Sequence, residues 1–335
     1  MTPKDRSAVL VPLLLVLSLA ALFLACLLGS TELPPGRVAA ALLGIGDPAG
    51  ETIVWQIRLP RALAAWLVGL GLGTAGAAMQ GLLRNPLAEP GVLGVSATGS
   101  LGAVIAIYYG FAEIWAPIMP IAAIVGALAA TGFLAAAGAR AAGVVTLVLI
   151  GVGLASLASA LLSLLMNLAP NPFSLADMVT WLMGSVTNRS FADIGLVLPF
   201  LVVGLAILLG TRRGLSALTL GEEAAAGVGL DLTRIRLLVV LGAGLVAGGS
   251  VALAGAIGFI GIVTPHLMRP WVGGDPGRVL LPAGLLGGVV LVLADIAVRV
   301  IATDAELKLG VAASLIGAPV FIWIAARRHA GETGW

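Results

Sequence analysis

Long apolar segments recur along the whole chain, and they constrain the fold more than any other feature. Most are about 20 residues long, the length that an α-helix needs to cross the ~30 Å hydrocarbon core of a bilayer. Apolar residues make up 60% of the 335 residues and charged residues only 10%, whereas a soluble domain carries about 25% charged residues. The sequence therefore predicts an all-α integral membrane protein.

Ten such segments are predicted to be transmembrane helices, each closed by glycine, proline or charged residues. The eighth has only 13 residues and is expected to be a broken or partly inserted helix. The first exceeds the ~7–15 residues of a signal-peptide core, so we expect it to be retained. The whole chain, 1–335, is interpreted as one transmembrane domain. The predicted spans are 8–28, 62–83, 92–110, 115–137, 144–168, 191–209, 237–253, 256–268, 279–298 and 307–326.

The basic residues predict the orientation of these spans. An even number of spans places both termini on one side of the membrane. If that side is the cytoplasm, 12 of the 18 basic residues are cytoplasmic and 6 are external, the bias that membrane proteins usually show. We therefore expect both termini to lie in the cytoplasm. The external set is Arg37, Arg58, Arg61, Arg189, Arg299 and Lys308.

At bilayer depth the predicted spans are almost free of ionisable residues, and Asp295, near the outer end of the ninth, is the exception. Proton-coupled carriers need acidic or histidine side chains inside the bundle, so proton coupling is disfavoured, although a sodium-coupled carrier stays open. The chain has no GxxxxGK[ST] phosphate loop. Uphill transport would therefore need a separate ATPase. The scattered basic residues form no stripe for nucleic acid, and His266 and His329 lie too far apart to suggest a metal site.

Two glycine-rich segments resemble each other. Residues 67–80 read LVGLGLGTAGAAMQ and residues 241–255 read LGAGLVAGGSVALAG. Their glycines are most simply explained by close helix packing. The second span is predicted to run inward and the seventh outward, so the similarity suggests an inverted internal repeat, a common feature of transporters.

Charged residues at the outer ends of two spans form candidate contact points. Arg58 and Arg61 flank Leu59-Pro60 at the start of the second span. Anchoring at lipid headgroups and docking of a partner's carboxylates are equally good explanations for this pair. Asp295 and Arg299 are four residues apart, a spacing that predicts an ion pair within one helix.

The longest polar connection is the segment 212–236, on the predicted cytoplasmic side. Residues 215–230 read LSALTLGEEAAAGVGL and are compatible with short helices on either side of Gly221. The segment is either an ordinary interfacial loop or a contact for a peripheral motor protein. Composition alone favours the loop.

Several long stretches resemble the permease subunits of FecCD/vitamin B12-type ABC importers. The similarity runs in order from Ile57 to Ile324, nearly the whole chain. The matching stretches are RLPRALAAWLVGLGLGTAGAAMQGLLRNPLAEPGVLGVS, LGEEAAAGVGLD, VALAGAIGFIGIVTPHLMR, LADIAVR and IGAPVFIW.

This resemblance implies the BtuC-like fold of type II ABC importers, a location in the bacterial inner (plasma) membrane and a set of partners. The expected assembly is a homodimer with the transport path at its interface, two cytoplasmic ATPase subunits and an extracytoplasmic substrate-binding protein. ATP and Mg²⁺ would bind to the ATPases, and this chain is expected to hold no cofactor and no catalytic residue.

The resemblance also implies roles for individual residues. Docking of the binding protein is expected to involve Arg58, Arg61 and Arg299. A cytoplasmic gate is expected at Asn85 and Leu87, and a second gate near Thr146. The groove of the ATPase would receive Gly221, Glu222, Glu223 and Ala224.

The expected cargo is a ferric siderophore or haem, with cobalamin as the alternative. A secondary carrier or channel would instead work without partners or ATP. An intramembrane enzyme would need an acid or base beside a nucleophile. Ser156, Ser159 and Ser163 have no such neighbour in sequence, so packing or lining of the path explains them better.

Overall fold

The computed structural model describes residues 3–29, 32–115, 117–138, 143–301 and 307–328, and every regular element among them is helical. Short turns of other helix types join some of the α-helices. The α-helices are α1 (Pro3–Leu27), α2 (Pro35–Leu42), α3 (Pro48–Thr52), α4 (Leu59–Leu83), α5 (Val95–Tyr108), α6 (Phe111–Ile114), α7 (Ile118–Gly138), α8 (Val144–Asn167), α9 (Pro172–Leu182), α10 (Phe191–Gly210), α11 (Arg212–Ala217), α12 (Glu222–Gly227), α13 (Leu232–Ala254), α14 (Ile260–Met268), α15 (Pro276–Val300) and α16 (Leu309–Arg328).

Each of the ten predicted spans contains one of these helices. In the described part of the chain, seven helical stretches are long and apolar enough to cross a membrane, and they correspond to α1, α4, α7, α8, α10, α13 and α15. The apolar parts of α5 and α16 are shorter, and α14 has only nine residues. The all-helical membrane fold is confirmed, whereas complete crossing by ten helices stays a prediction.

Buried irregular backbone explains why α5 is short. After α4 the chain reaches Val95 through a non-helical stretch that includes a 3₁₀ turn, Pro90–Leu93. Leu93 is fully buried and its backbone lies against Gly151 of α8. Pro90 contacts Gly261 in α14. Irregular backbone is tolerated at membrane depth only where protein covers it, as here.

The two halves of the chain pack in a corresponding way. Helix α4 contacts α15 and α14, and α13 contacts α7 and α5. If α4 corresponds to α13, α5 to α14 and α7 to α15, then the contacts of α4 with α14 and α15 correspond to those of α13 with α5 and α7. This is the pairing that the predicted inverted repeat requires.

Glycines bring the central helices into close contact. A Cβ atom at Gly69 would overlap the carbonyl of Gly287 in α15, and one at Gly73 would overlap the carbonyl of Ala283. In lipid, helix association depends on such close packing because burial of apolar surface supplies little driving force. The glycine-rich segments therefore hold the core of the bundle together.

Gln80 ties α4 to the short helix α14. Pro265 has no N–H, so the carbonyl of Gly261 lacks its usual helical donor. The buried Gln80 amide donates to that carbonyl at 3.1 Å. Arg269 in turn donates to the Gln80 side-chain oxygen at 2.7 Å. This contact satisfies a buried acceptor that the proline would otherwise leave without a partner.

Candidate functional site

The predicted docking residues lie together at one end of the bundle, called here the outer end. Arg61 lies in the first turn of α4, Arg58 ends the π-helical turn, Ile53–Arg58, that precedes α4, and Arg299 lies near the end of α15. Pro60, also in the first turn of α4, cannot donate a backbone hydrogen bond. We define the outer arginine cluster as Arg58, Arg61, Asp295 and Arg299.

Two arginines of this cluster bind the end of α1. Arg58 donates to two backbone carbonyls at 2.7 and 2.9 Å, and Arg299 donates to two others at 3.1 Å each. The last carbonyls of a helix have no partner within the helix, and its C-terminus carries partial negative charge, so cations are favoured there. The four acceptors are the carbonyls of Ala25, Cys26, Leu27 and Leu28.

Asp295 joins the other two arginines. Its carboxylate accepts from Arg61 at 2.9 and 3.0 Å and lies 3.1 Å from the Nε of Arg299, which confirms the predicted pair within α15. The Asp295 side chain is 1% exposed, so it needs this partnership. Three guanidinium groups against one carboxylate leave the cluster with a net positive charge.

The cluster faces an open cavity of about 1200 Å³, which Arg61 and Arg299 line together with Glu32. The side chains of Arg61 and Arg299 are 13% and 9% exposed, and the Nη2 of Arg299 has no hydrogen-bond partner. Arg58 is only 4% exposed. The geometry therefore ties Arg58 to the end of α1 and leaves Arg61 and Arg299 as the arginines that line the cavity; the docking role of all three stays a prediction.

A second outer cavity, of about 420 Å³, was not foreseen from the sequence. Its lining includes Glu113, Asp177, Arg189 and Lys308. The guanidinium of Arg189 lies 5.5 Å from the ring centre of Trp181. Burial lowers the pKa of Arg189, an effect opposed by the nearby Asp193, but an arginine stays charged at any physiological pH.

The segment 212–236, called here the coupling segment, lies at the opposite, inner end. It contains α11, a 3₁₀ turn, α12 and the start of α13. Gly221 joins the turn to α12 with φ +98° and ψ 155°, a conformation open essentially to glycine alone. Glu222, Glu223 and Ala224 are exposed, as a contact for an ATPase would require.

Two large apolar side chains flank these residues. Leu220 is 67% exposed and Val228 is 72% exposed. Exposed apolar side chains beside a short helix are candidate anchors for a protein partner that would cover them. The sequence interpretation did not single them out, because apolar residues are ordinary throughout this chain.

Polar contacts connect the coupling segment to the central helices. Glu222 pairs with Arg236 of α13 at 2.7 Å. Ser216 of α11 donates to Asp275, the residue that caps α15, at 2.5 Å. Since α13 and α15 pack in the core of the bundle, a displacement of the coupling segment has a direct path to the core.

The residues of the predicted gates are exposed. The side chain of Asn85 accepts from the backbone N–H of Leu87 at 2.9 Å, which forms a compact turn after α4. Thr146 lies in the first turn of α8. Their exposure is compatible with a gate, and the role stays a prediction.

Comparison with known proteins identifies the family. Residues 14–327 match the FecCD transport family. The chain is 39% identical over 294 residues to YvrB of Bacillus subtilis (strain 168), described as an ABC transporter permease protein, covering 86% of this chain and 83% of YvrB. It is 39% identical over 315 residues to the vitamin B12 import system permease protein BtuC of Klebsiella pneumoniae, covering 94% and 92%.

Further matches agree with this result. BtuC of Salmonella typhi is 41% identical over 276 residues, covering 82% of this chain and 84% of its own length. A solved structure, described as an inward-facing ABC transporter of metal-chelate type, superposes with a TM-score of 0.85 at 29% identity, covering 95% of this chain and 98% of that one. The chain belongs to the FecCD transport family and is a membrane permease of an ABC importer.

Proposed function

We propose that two copies of this chain form the membrane conduit of an ATP-driven importer for a bulky metal chelate. A binding protein delivers the cargo at the outer end, and two ATPase subunits bind the coupling segments at the inner end. The observation that supports a dimer is a row of mostly small or polar residues on an exposed face of α8, called here the polar stripe.

This polar stripe runs the length of α8. Its seven residues recur at intervals of three and four, so they lie along one side of the helix. All seven are exposed, and the hydroxyl of Ser156 bonds back to the carbonyl of Val152 in its own helix. Six of the seven are small or polar, whereas lipid would favour large apolar residues at these positions; the exception is Leu149, which is 66% exposed. The seven are Thr146, Leu149, Gly153, Ser156, Ala160, Ser163 and Asn167.

A second copy facing this stripe would enclose a path of small and weakly polar side chains. Such a surface binds cargo weakly, which suits a conduit because tight binding would slow release. Specificity then belongs to the binding protein. The same geometry gives Thr146 a place at the inner mouth of the path.

Among metal chelates, the vitamin B12 import relatives favour cobalamin over the ferric siderophores and haem expected from the sequence. We expect the cognate binding protein to bind one of these three classes much more tightly than the others. A binding panel by isothermal calorimetry, with cobalamin, haem and several ferric siderophores, measures this. Binding of an amino acid or a sugar, with no affinity for any chelate, would contradict the proposed cargo class.

Replacing both Arg61 and Arg299 with glutamine is expected to weaken docking of the binding protein by tenfold or more. A charge-assisted hydrogen bond is worth about 1.5–3 kcal/mol, so two of them can account for such a loss. Surface plasmon resonance on the permease in nanodiscs measures the affinity. Thermal unfolding is recorded beside it, because the double variant also leaves the buried Asp295 carboxylate without its two arginines and is expected to be less stable.

Arg58→Gln is the matched control. It should lower thermal stability, because two carbonyls of α1 lose their donor, while docking by the folded protein stays near the wild-type value. If Arg58→Gln alone abolished docking and the double variant did not, the assignment of roles within the outer arginine cluster would be wrong.

A further inference from the structure

An arginine-lined cleft opens at the inner end of the bundle, between α1, α10, α11 and α15. Its volume is about 620 Å³. Arg212 and Arg213 of α11 and Arg278 of α15 line it, and all three side chains are exposed. We call this feature the arginine cleft. It is separate from the exposed anchors Leu220 and Val228.

The arginine cleft has an excess of positive charge. Asp275 is the acidic residue of its lining, but its carboxylate is engaged elsewhere. One oxygen accepts from Ser216 at 2.5 Å and from the backbone of Gly277 at 2.8 Å. The other lies 3.6 Å from Arg278, a long and weak ion pair. Three guanidinium groups therefore face one carboxylate that already caps a helix.

The walls of the cleft are fixed by close packing. Gly277 lets the backbone of α11 lie directly against the first turn of α15, since a Cβ atom there would overlap the carbonyl of Arg212. The hydrogen bond between Ser216 and Asp275 joins the same two elements. The backbones that carry the arginines are therefore held in fixed positions relative to each other, which favours a binding site of defined geometry.

Apolar side chains continue the cleft toward the membrane. Val11 of α1, Leu209 of α10 and Leu281 of α15 belong to spans and line the same cavity. Leu281 is 37% exposed. A site with cations at the membrane boundary and apolar side chains on the bilayer side matches a molecule with an anionic head and acyl chains.

We propose that the arginine cleft binds the headgroup of an anionic phospholipid of the inner leaflet, with its acyl chains along α10 and α15. Basic pockets between transmembrane helices bind anionic headgroups in this manner, and juxtamembrane basic residues each contribute about 1 kcal/mol. A bound lipid would link α11 of the coupling segment to the membrane and to α1. Free phosphate shares the headgroup chemistry, but it would leave the apolar wall uncovered.

Native mass spectrometry of the purified full-length chain tests the proposal. Phosphatidylglycerol should bind more tightly than phosphatidylcholine with the same acyl chains. Each single change should weaken phosphatidylglycerol binding about fivefold, which corresponds to the contribution of one basic residue. The three changes are Arg212→Gln, Arg213→Gln and Arg278→Gln. The affinity of the triple variant for phosphatidylglycerol should fall by on the order of 100-fold if the three contributions add.

Arg234→Gln is the matched control, because Arg234 is exposed at the inner end but lies outside the lining of the cleft. It should leave phosphatidylglycerol binding unchanged. Arg212→Lys, which keeps the charge, should retain most of the affinity even if a glutamine variant folds poorly. Equal binding of the two lipids, displacement of phosphatidylglycerol by millimolar inorganic phosphate, or loss of ATPase binding with unchanged lipid binding in the triple variant would each overturn the proposal.

Discussion

Gly221→Ala is expected to reduce ATP-driven transport by up to about 30-fold while the transmembrane helices stay folded. Gly221 has φ +98° and ψ 155°, and a non-glycine residue held in such a region costs about 1–3 kcal/mol. A Cβ there would meet no atom within 4 Å, so the cost comes from the backbone alone. A cost of ~2 kcal/mol lowers the ratio of the competent arrangement of the coupling segment to the other arrangements about 30-fold, which sets the upper limit of the loss. The measurement is uptake by the reconstituted importer in proteoliposomes, with ATP hydrolysis recorded in parallel.

Gly227→Ala is the control for this prediction. Gly227 ends α12 and also has open space around it, but its φ is not in the left-handed region. It should transport as the wild type does. Equal coupling in both variants would show that the conformation of Gly221 is irrelevant to the ATPase contact. Uptake by the permease alone, without ATPase or ATP, would instead favour a secondary carrier or channel.

The positions of the spans were predictable from apolar runs, but their ends were not. The second span was predicted at 62–83, with residues 58–61 opening its helix. The helix instead extends outward through the π turn. The seventh was expected to begin at 237, whereas α13 begins at Leu232, where the side chain of Asp231 caps it. Charged residues at these ends extend the helices beyond the apolar core.

The chemistry of the candidate site was predictable only in part. The spacing of Asp295 and Arg299 predicted their ion pair. The polarity of residues 212–236 indicated a connection outside the membrane, which became the coupling segment. The partners of Arg58 are backbone carbonyls more than 30 residues earlier in the chain. No local pattern encodes such a contact, since any residue type supplies a carbonyl. Arg58 therefore looked the same as Arg61 in sequence, although the fold uses the two differently.

The contact between α4 and α14 combines three features that the sequence presents separately. Gly76 lies against the backbone of Gly261, and a Cβ at Gly76 would overlap the Gly261 carbonyl. That carbonyl also accepts the Gln80 amide because Pro265 cannot donate to it. The hydrogen bond of Gln80, one turn after Gly76 in α4, therefore requires the close approach of α4 and α14 that Gly76 permits.

Gly76→Ala is therefore expected to destabilise the permease by about 3 kcal/mol or more. Overpacking alone costs about 1–3 kcal/mol. Separation of the helices would also break the hydrogen bond between the Gln80 amide and the Gly261 carbonyl, and a buried polar group left without a partner costs a further ~1–3 kcal/mol. Thermal unfolding in detergent, followed by tryptophan fluorescence, measures the change. Gly195→Ala in α10, where a Cβ meets nothing within 4 Å, should melt at or above the wild-type temperature. Equal melting temperatures for the two variants would mean that the contact between α4 and α14 at Gly76 does not contribute to stability.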